Sequence, residues 1–151
     1  MDGTISIRLA VASDIPNVME LEQRTSTAAH WGRDQYEAIF MAGPHRILLL
    51  VEESHRPRGF LIARAVGPEW EVENVVIDEA SRRRGLGMHL LTDFLAMARG
   101  EGAQTAFLEV RESNTAARAL YERCAFLETG RRTAYFRNPE EDAILYRLSF
   151  L

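Results

Sequence analysis

The chain has 151 residues, 46% hydrophobic and 26% charged, with a formal charge of −4, which predicts one soluble globular domain over 1–151 and argues against bulk affinity for nucleic acid. No apolar stretch reaches membrane-spanning length and Met1 to Arg8 lacks a basic-then-apolar leader, so a cytoplasmic protein with no membrane contact is expected. The single Cys124 excludes an intramolecular disulfide, and all 18 basic residues are arginine, which reads as compositional bias.

In chain order, the first predicted element is a strand, Ile5 to Leu9, with alternating apolar positions. Ser13 or Asp14 then caps a helix that puts Ile15, Val18, Met19 and Glu22 on one side, and a second helix covers Asp34 to Met41 until Gly43-Pro44 stops it. Ile47 to Val51 is a continuous apolar strand, Glu52 to Arg58 a polar turn, Gly59 to Val66 the return, and Gly67-Pro68 turns into Trp70 to Ile77. This stretch reads as an antiparallel meander. Leu86, Leu90, Leu91, Phe94, Leu95 and Ala98 then keep helical spacing until Gly100 and Gly102. A strand from Thr105 to Val110 leads to a helix capped by Ser113 or Asn114, with Ala117, Leu120, Tyr121 and Cys124 on one side. Strands Phe126 to Gly130 and Ala143 to Leu148 complete a mixed α/β sheet.

The run Arg82-Arg83-Arg84-Gly85-Leu86-Gly87 joins the strand ending at Ile77 to the helix beginning at Leu86. Two glycines permit a sharp turn and close backbone approach, while helix-start N–H groups and three guanidinium groups favour negative charge. The motif is not a Rossmann fingerprint, whose third glycine is replaced by Leu90, nor a P-loop, which needs a lysine that this chain does not contain. What remains is a cradle for a pyrophosphate beyond the C-terminal end of a central strand.

Glu109 interrupts the apolar run Ala106-Phe107-Leu108 and Val110. Burial would tune it towards a general base, whereas an ion pair with Arg111 or a neighbouring strand would make it structural; both readings stand. Tyr121 falls on the apolar side of its helix, as a core aromatic or as an acid whose phenol needs a partner. Cys124, with no histidine near it in sequence, reads as a packing residue rather than a nucleophile. His30, His45, His55 and His89 show no metal-ligand spacing, so no metal is expected, and His89 reads as solvent-facing beside the cradle.

The sequence of motifs Val75-Val76-Ile77-Asp78, Arg82 to Gly87, Leu108-Glu109-Val110-Arg111, Asn114 to Ala117 and Ala119-Leu120-Tyr121-Glu122 resembles the GCN5-related N-acetyltransferase (GNAT) superfamily. Within it the chain is most similar to the RimI-type ribosomal-protein alanine N-acetyltransferases, including Glu22-Gln23-Arg24 early on and Glu141-Asp142-Ala143-Ile144-Leu145 near the end. The resemblance implies an α+β fold with a mostly antiparallel twisted sheet of six to seven strands, about four flanking helices, and acetyl-CoA bound where the central strands splay.

The resemblance also implies roles. Arg82, Arg83, Arg84, Gly85, Leu86, Gly87 and Met88 would hold the pyrophosphate of acetyl-CoA, Val75, Val76 and Ile77 would line its pantetheine arm, and Asn114 would touch it from the next helix start. A strand N–H, expected at Val76, would polarise the thioester carbonyl. Glu109 would be the general base and Tyr121 the general acid. The acceptor would be a protein N-terminus, that of a basic ribosomal protein, lying between Thr25 to Arg33 and Tyr135 to Asp142; the enzyme would be a monomer or weak dimer. There Trp31, Tyr135 and Phe136 would form an aromatic wall. Glu140, Glu141 and Asp142, with Glu22 and Asp34, would attract basic residues or form an ordinary solvated face. Cys124-Ala125-Phe126 stands where relatives carry Leu-Gly-Phe, so the helix exit is expected to forgo the left-handed turn that glycine allows. Transfer to a small amine or lysine side chain, and a non-catalytic acetyl-CoA sensor, are the rival functions.

Overall fold

In the computed structural model, which describes residues 3–25 and 31–151, these periodicities become seven strands and four helices among the described residues. They are β1 (Ile5–Leu9), α1 (Ile15–Gln23), α2 (Arg33–Met41), β2 (Arg46–Glu53), β3 (Arg56–Val66), β4 (Glu69–Ile77), α3 (Leu86–Gly100), β5 (Thr105–Arg111), α4 (Thr115–Arg123), β6 (Leu127–Phe136) and β7 (Glu141–Ser149). The sheet order is β1-β2-β3-β4-β5-β7-β6. Every neighbouring pair is antiparallel except β4 and β5, which run parallel.

Both faces of the central strands are buried, which is why β2 and β3 read as unbroken apolar runs rather than alternating ones. On one face Leu48, Leu50, Phe60 and Ile62 pack against Ile15, Val18, Leu21, Tyr36 and Ile39 of α1 and α2. On the other, Ile47, Leu49, Val51, Leu61 and Ala63 meet Leu86, Leu90, Leu91, Phe94 and Ala98 of α3. Side chains alternate across a strand, so one sequence serves two helical layers. Each fully buried large side chain, such as Phe60 or Phe94, contributes roughly 1.5–3 kcal/mol. Edge-to-face contact of Trp70 with Phe94, at 5.9 Å between ring centroids, ties β4 to α3.

The β2–β3 hairpin is tighter than its polar sequence predicts. Its turn is Ser54-His55 alone, both in the left-handed region at φ 50° and 68°, the type I′ geometry that matches strand twist. The flanking carboxylates stay in the strand because they have cationic partners: Glu52 pairs with Arg8 at 2.9 Å and Glu53 with Arg84 at 2.5 Å. Strand β6 likewise runs past Gly130 to Phe136, so Tyr135, Phe136, Glu141 and Asp142 belong to strands and only 137–140 separate them. Pairing with β7, interrupted by register shifts between Glu128 and Gly130 and between Arg132 and Phe136, carries β6 that far.

Gly59 of β3 lies so close to β4 that a Cβ there would stand 2.6 Å from the Val76 carbonyl oxygen and 2.7 Å from Ile77 Cδ1. Ile77 Cδ1 can swing aside, but the Val76 carbonyl oxygen cannot retreat without moving the strand. Gly59→Ala is therefore expected to lower unfolding stability in denaturant titrations by about 1–3 kcal/mol.

Candidate active site

Strands β4 and β5 pair over three positions only, Glu69 with Thr105, Trp70 with Ala106 and Glu71 with Phe107. Beyond them β4 stays with β3 and β5 stays with β7, and a bulge at Glu73, which has no counterpart in β3, bends β4 at the parting. The result is a gap in mid-sheet with unpaired backbone along the β4 edge. Register identifies the free groups. The N–H of Asp78 donates to the Arg58 carbonyl at 2.8 Å, and since N–H directions alternate along a strand, Val76 also turns to β3. This corrects the expectation for Val76: the N–H groups aimed at the gap are those of Val75 and Ile77.

At the C-terminal end of β4 the chain turns through Arg83 and Gly85, both left-handed at φ 63° and 77°, and starts α3 at Leu86 without a side-chain cap. The first backbone bond of this helix runs from His89 N–H to the Gly85 carbonyl. The N–H groups of Leu86, Gly87 and Met88 thus have no carbonyl within the helix. A Cβ on Gly87 would meet Leu120 Cδ2 at 3.0 Å, so glycine is what lets α3 start against α4. Arg82 and Arg83 are exposed, whereas Arg84 makes a two-pronged pair with Glu53 at 2.9 and 2.5 Å. These donors and guanidinium groups fit a pyrophosphate, and the open edge of β4 above them fits an amide-bearing arm.

Glu109 and Tyr121 flank the gap from opposite faces of the sheet. In β5, Ala106, Leu108 and Val110 are buried on the α3 side, which turns Glu109 to the α1–α2 side. There its carboxylate meets Arg132 Nε at 3.1 Å, a partner on β6 rather than Arg111. That pair is solvated, so it holds geometry more than it adds stability. Arg132 also lies 5.4 Å over the Tyr135 ring. The Tyr135 phenol is pushed up chiefly by the Glu109 charge and its hydrogen bond, with a further contribution from Glu71 of β4. Tyr135 therefore lies beside Glu109, with Arg132 over its ring.

On the other face Tyr121 is only 6% exposed, and burial alone pushes its phenol far above the ordinary tyrosine value. It stays protonated. The end of α4 fixes it. Phe126 N–H bonds the Tyr121 carbonyl and Ala125 N–H bonds the Glu122 carbonyl, each at 3.1 Å, the paired closure of a Schellman motif. Phe126 packs edge-on to Tyr121 at 5.9 Å. Contrary to the sequence expectation, Ala125 does take the left-handed conformation, at φ 72°; the two hydrogen bonds and the aromatic contact offset its steric cost. Tyr146 holds the other side of the Tyr121 ring at 6.2 Å and donates to Glu122 at 2.7 Å.

The remaining expected site residues have internal partners. Glu22 is buried and accepts bonds from Trp31 N–H and the Tyr36 hydroxyl, both at 2.7 Å; it fastens α1 to α2 and does not face a substrate. Trp31 covers Arg46 at 5.4 Å, and Arg46 grips the bulge residue Glu73 at 2.9 Å. Glu141 accepts from Ser113 N–H and Arg111, and Asp142 from Ala134 N–H and Arg131, which holds both carboxylates below their usual range. Their charge is largely neutralised locally. Asn114 caps α4 through Ala117 N–H at 3.2 Å. His89 is exposed and Cys124 packs its sulfur on Met88 at 3.1 Å, in keeping with the sequence reading. Of the segment Thr25 to Arg33, residues 26–30, with His30, lie outside the described residues. Sequence reasoning missed Arg132 and Asn74, because neither stands near Glu109 in the chain.

Comparison with known proteins agrees with this geometry. Residues 15–126 match the Acetyltransferase (GNAT) family. The chain is 32% identical over 145 residues to the ribosomal protein bS18-alanine N-acetyltransferase of Salmonella typhimurium, covering 95% of this chain and 96% of that one. It superposes on the crystal structure of the ribosomal-protein-S18-alanine N-acetyltransferase from Escherichia coli with a TM-score of 0.88 at 29% identity, over 97% of this chain and 94% of that one. Ard1 from Thermoplasma volcanium shares the fold, with a TM-score of 0.88 at 23% identity over 97% and 98% of the two chains.

Two outcomes follow from the Tyr121 mounting. Ala125→Gly removes the left-handed penalty, and thermal unfolding should shift upwards by the equivalent of about 0.5–1 kcal/mol. Because burial raises the phenols of Tyr36 and Tyr121, the folded state holds protons that the unfolded chain loses near pH 10. Stability from this source is complete below pH of about 10 and falls above it. Tyr121→Phe should reduce that alkaline slope by up to about 1.4 kcal/mol per pH unit in denaturant titrations at successive pH values.

Proposed function

The chain belongs to the GNAT acetyltransferase family, and we propose on that premise that it transfers acetyl from acetyl-CoA to the N-terminal α-amino group of a protein, an alanine-led ribosomal protein. The observation that carries the reading is the placement of Glu109 and Tyr121 on opposite faces of the sheet beside the β4–β5 gap. The α1–α2 face then receives the amine and the α3–α4 face the cofactor sulfur. Relatives that match nearly the whole chain carry the name of a ribosomal-protein alanine N-acetyltransferase, which supports the acceptor class.

The cradle of Arg82 to Met88 binds the pyrophosphate, and Val75 and Ile77 present N–H groups to the pantetheine arm and its thioester. An α-amino group has a reference pKa of about 7.7–8.0, so near neutral pH a large fraction is protonated and cannot attack. Glu109, directly or through a water, takes this proton. The Val75 N–H, closest to the level of Glu109, stabilises the negative charge that develops on the thioester oxygen. Tyr121, kept protonated by burial, passes its proton to the sulfur as the amine displaces it, and the second proton of the attacking nitrogen restores the phenol through water. Asn114 adds a contact from the start of α4. Trp31, Tyr135, Glu141 and Asp142 border the acceptor on the Glu109 side, two of them as walls and two by holding the β6–β7 turn in place. A sensor that only bound acetyl-CoA would use the cradle and have no need of the acid and base.

Mass spectrometry of acetyl transfer tests the reading, with a basic peptide bearing a free N-terminal alanine against the same peptide N-terminally blocked and carrying lysines. The protein has no lysine of its own, so side-chain self-acetylation gives no background. Acetylation confined to the free alanine is the expected result; transfer to lysine alone moves the acceptor to side chains. Glu109→Gln should lower kcat about 10²–10⁴-fold near neutral pH while leaving acetyl-CoA affinity within about twofold. Unchanged turnover would remove Glu109 from the role of base.

A further inference from the structure

The side-chain amide nitrogen of Asn74 is buried and has no hydrogen-bond partner among the described residues. A buried donor left unpaired is unfavourable, and a native structure that keeps one has a use for it or a partner still to come. Its position says what kind of partner. Asn74 is paired with Ile62, which is buried on the α1–α2 face, and cross-strand neighbours share a face. Asn74 therefore stands on the same side of the sheet as Glu109. The last β4–β5 pair is Glu71 with Phe107; continued for two more residues, that register brings Glu109 level with the Glu73 bulge and Asn74.

The carboxylates around it are engaged elsewhere. Glu71 accepts from Arg64 at 2.7 Å, Glu73 from Arg46 at 2.9 Å, and Glu109 pairs with Arg132 at 3.1 Å. A donor beside the amine site needs an acceptor atom on the substrate. The amine's lone pair is used in the attack and is no partner. The nearest other acceptor on a peptide N-terminus is the oxygen of its first carbonyl group, whose carbon is bonded to the carbon that bears the amine. A lysine ε-amine or a simple alkylamine has no such oxygen.

Resting on the acceptor class given above, we propose that Asn74 donates its side-chain N–H to the first carbonyl of the acceptor peptide and thereby selects α-amines over other amines. Asn74 is a specificity-determining residue, distinct from the acid, the base and the pyrophosphate cradle. It orients the amine towards the gap by holding the oxygen three bonds away.

The test compares kcat/KM for an alanine-led peptide and for its trans-alkene isostere, in which the first peptide bond is replaced by a carbon–carbon double bond of the same shape. The wild-type enzyme should favour the peptide about tenfold, the value of one well-made hydrogen bond. Asn74→Ala and the volume-conserving Asn74→Leu should both lose about tenfold on the peptide and little on the alkene, which brings the ratio near one. Neither variant should melt below the wild type, because the deleted group bonds nothing in the free protein. A ratio that stays at the wild-type value in both variants overturns the proposal, as does a lower melting temperature in both, which would make Asn74 structural. Failure of the wild type to use the peptide at all overturns the acceptor reading and this inference with it, whereas good use of the peptide with an unchanged ratio overturns this inference alone.

Discussion

The parting of β4 from β5 after three paired positions is the constraint on which the rest of the molecule depends. A sheet that stayed closed would satisfy every strand N–H internally and leave nothing for a ligand. Here each strand keeps its outer neighbour, β3 or β7, so the sheet opens without unravelling, and one edge of β4 is left free. The bulge at Glu73 and the close approach at Gly59 set where that edge lies. The α3 cradle is its continuation, since the same strand delivers the chain to the helix N-terminus.

The open gap also organises the chemistry by face. Glu109 on β5 lies on the α1–α2 side and Tyr121 on α4 on the α3–α4 side, so in the proposed reaction proton removal and proton delivery would be separated by the sheet itself. The two environments differ accordingly. Tyr121 is enclosed by Phe126 and Tyr146 and holds its proton against deprotonation. Glu109 pairs with the exposed Arg132 beside the half-exposed Tyr135.

Arginine is the only positively charged side chain apart from histidine, and it does much of the positioning. Arg8, Arg46, Arg64, Arg84, Arg111, Arg131 and Arg132 each hold a carboxylate at a strand end or at the edge of the site. Individually such exposed pairs are worth about 0–1 kcal/mol. Their planar forks fix direction as well as distance. The acidic run near the end of the chain illustrates the consequence: Glu141 and Asp142 look in sequence like bait for a basic peptide, yet they brace a hairpin.

The sequence by itself determined the elements and the cradle, because hydrophobic period, glycine and proline placement and an Arg-Gly run before a helix are local signals. It marked Ile47 to Val51 as a continuous apolar strand for the same reason, singled out Glu109 as a break in an apolar run, and left Tyr121 as either a core aromatic or an acid. The tertiary structure alone decided which way the Val76 N–H turns, that Ala125 accepts a left-handed angle, that Glu22 is held by Trp31 and Tyr36, and that Arg132 and Tyr135 come to Glu109. The first and the last depend on register and on strand order, β5 next to β7 next to β6; the other two depend on contacts made where a helix ends or meets its neighbour. A one-residue slip reverses every side chain and every N–H, and no local period in the chain encodes the choice of partner.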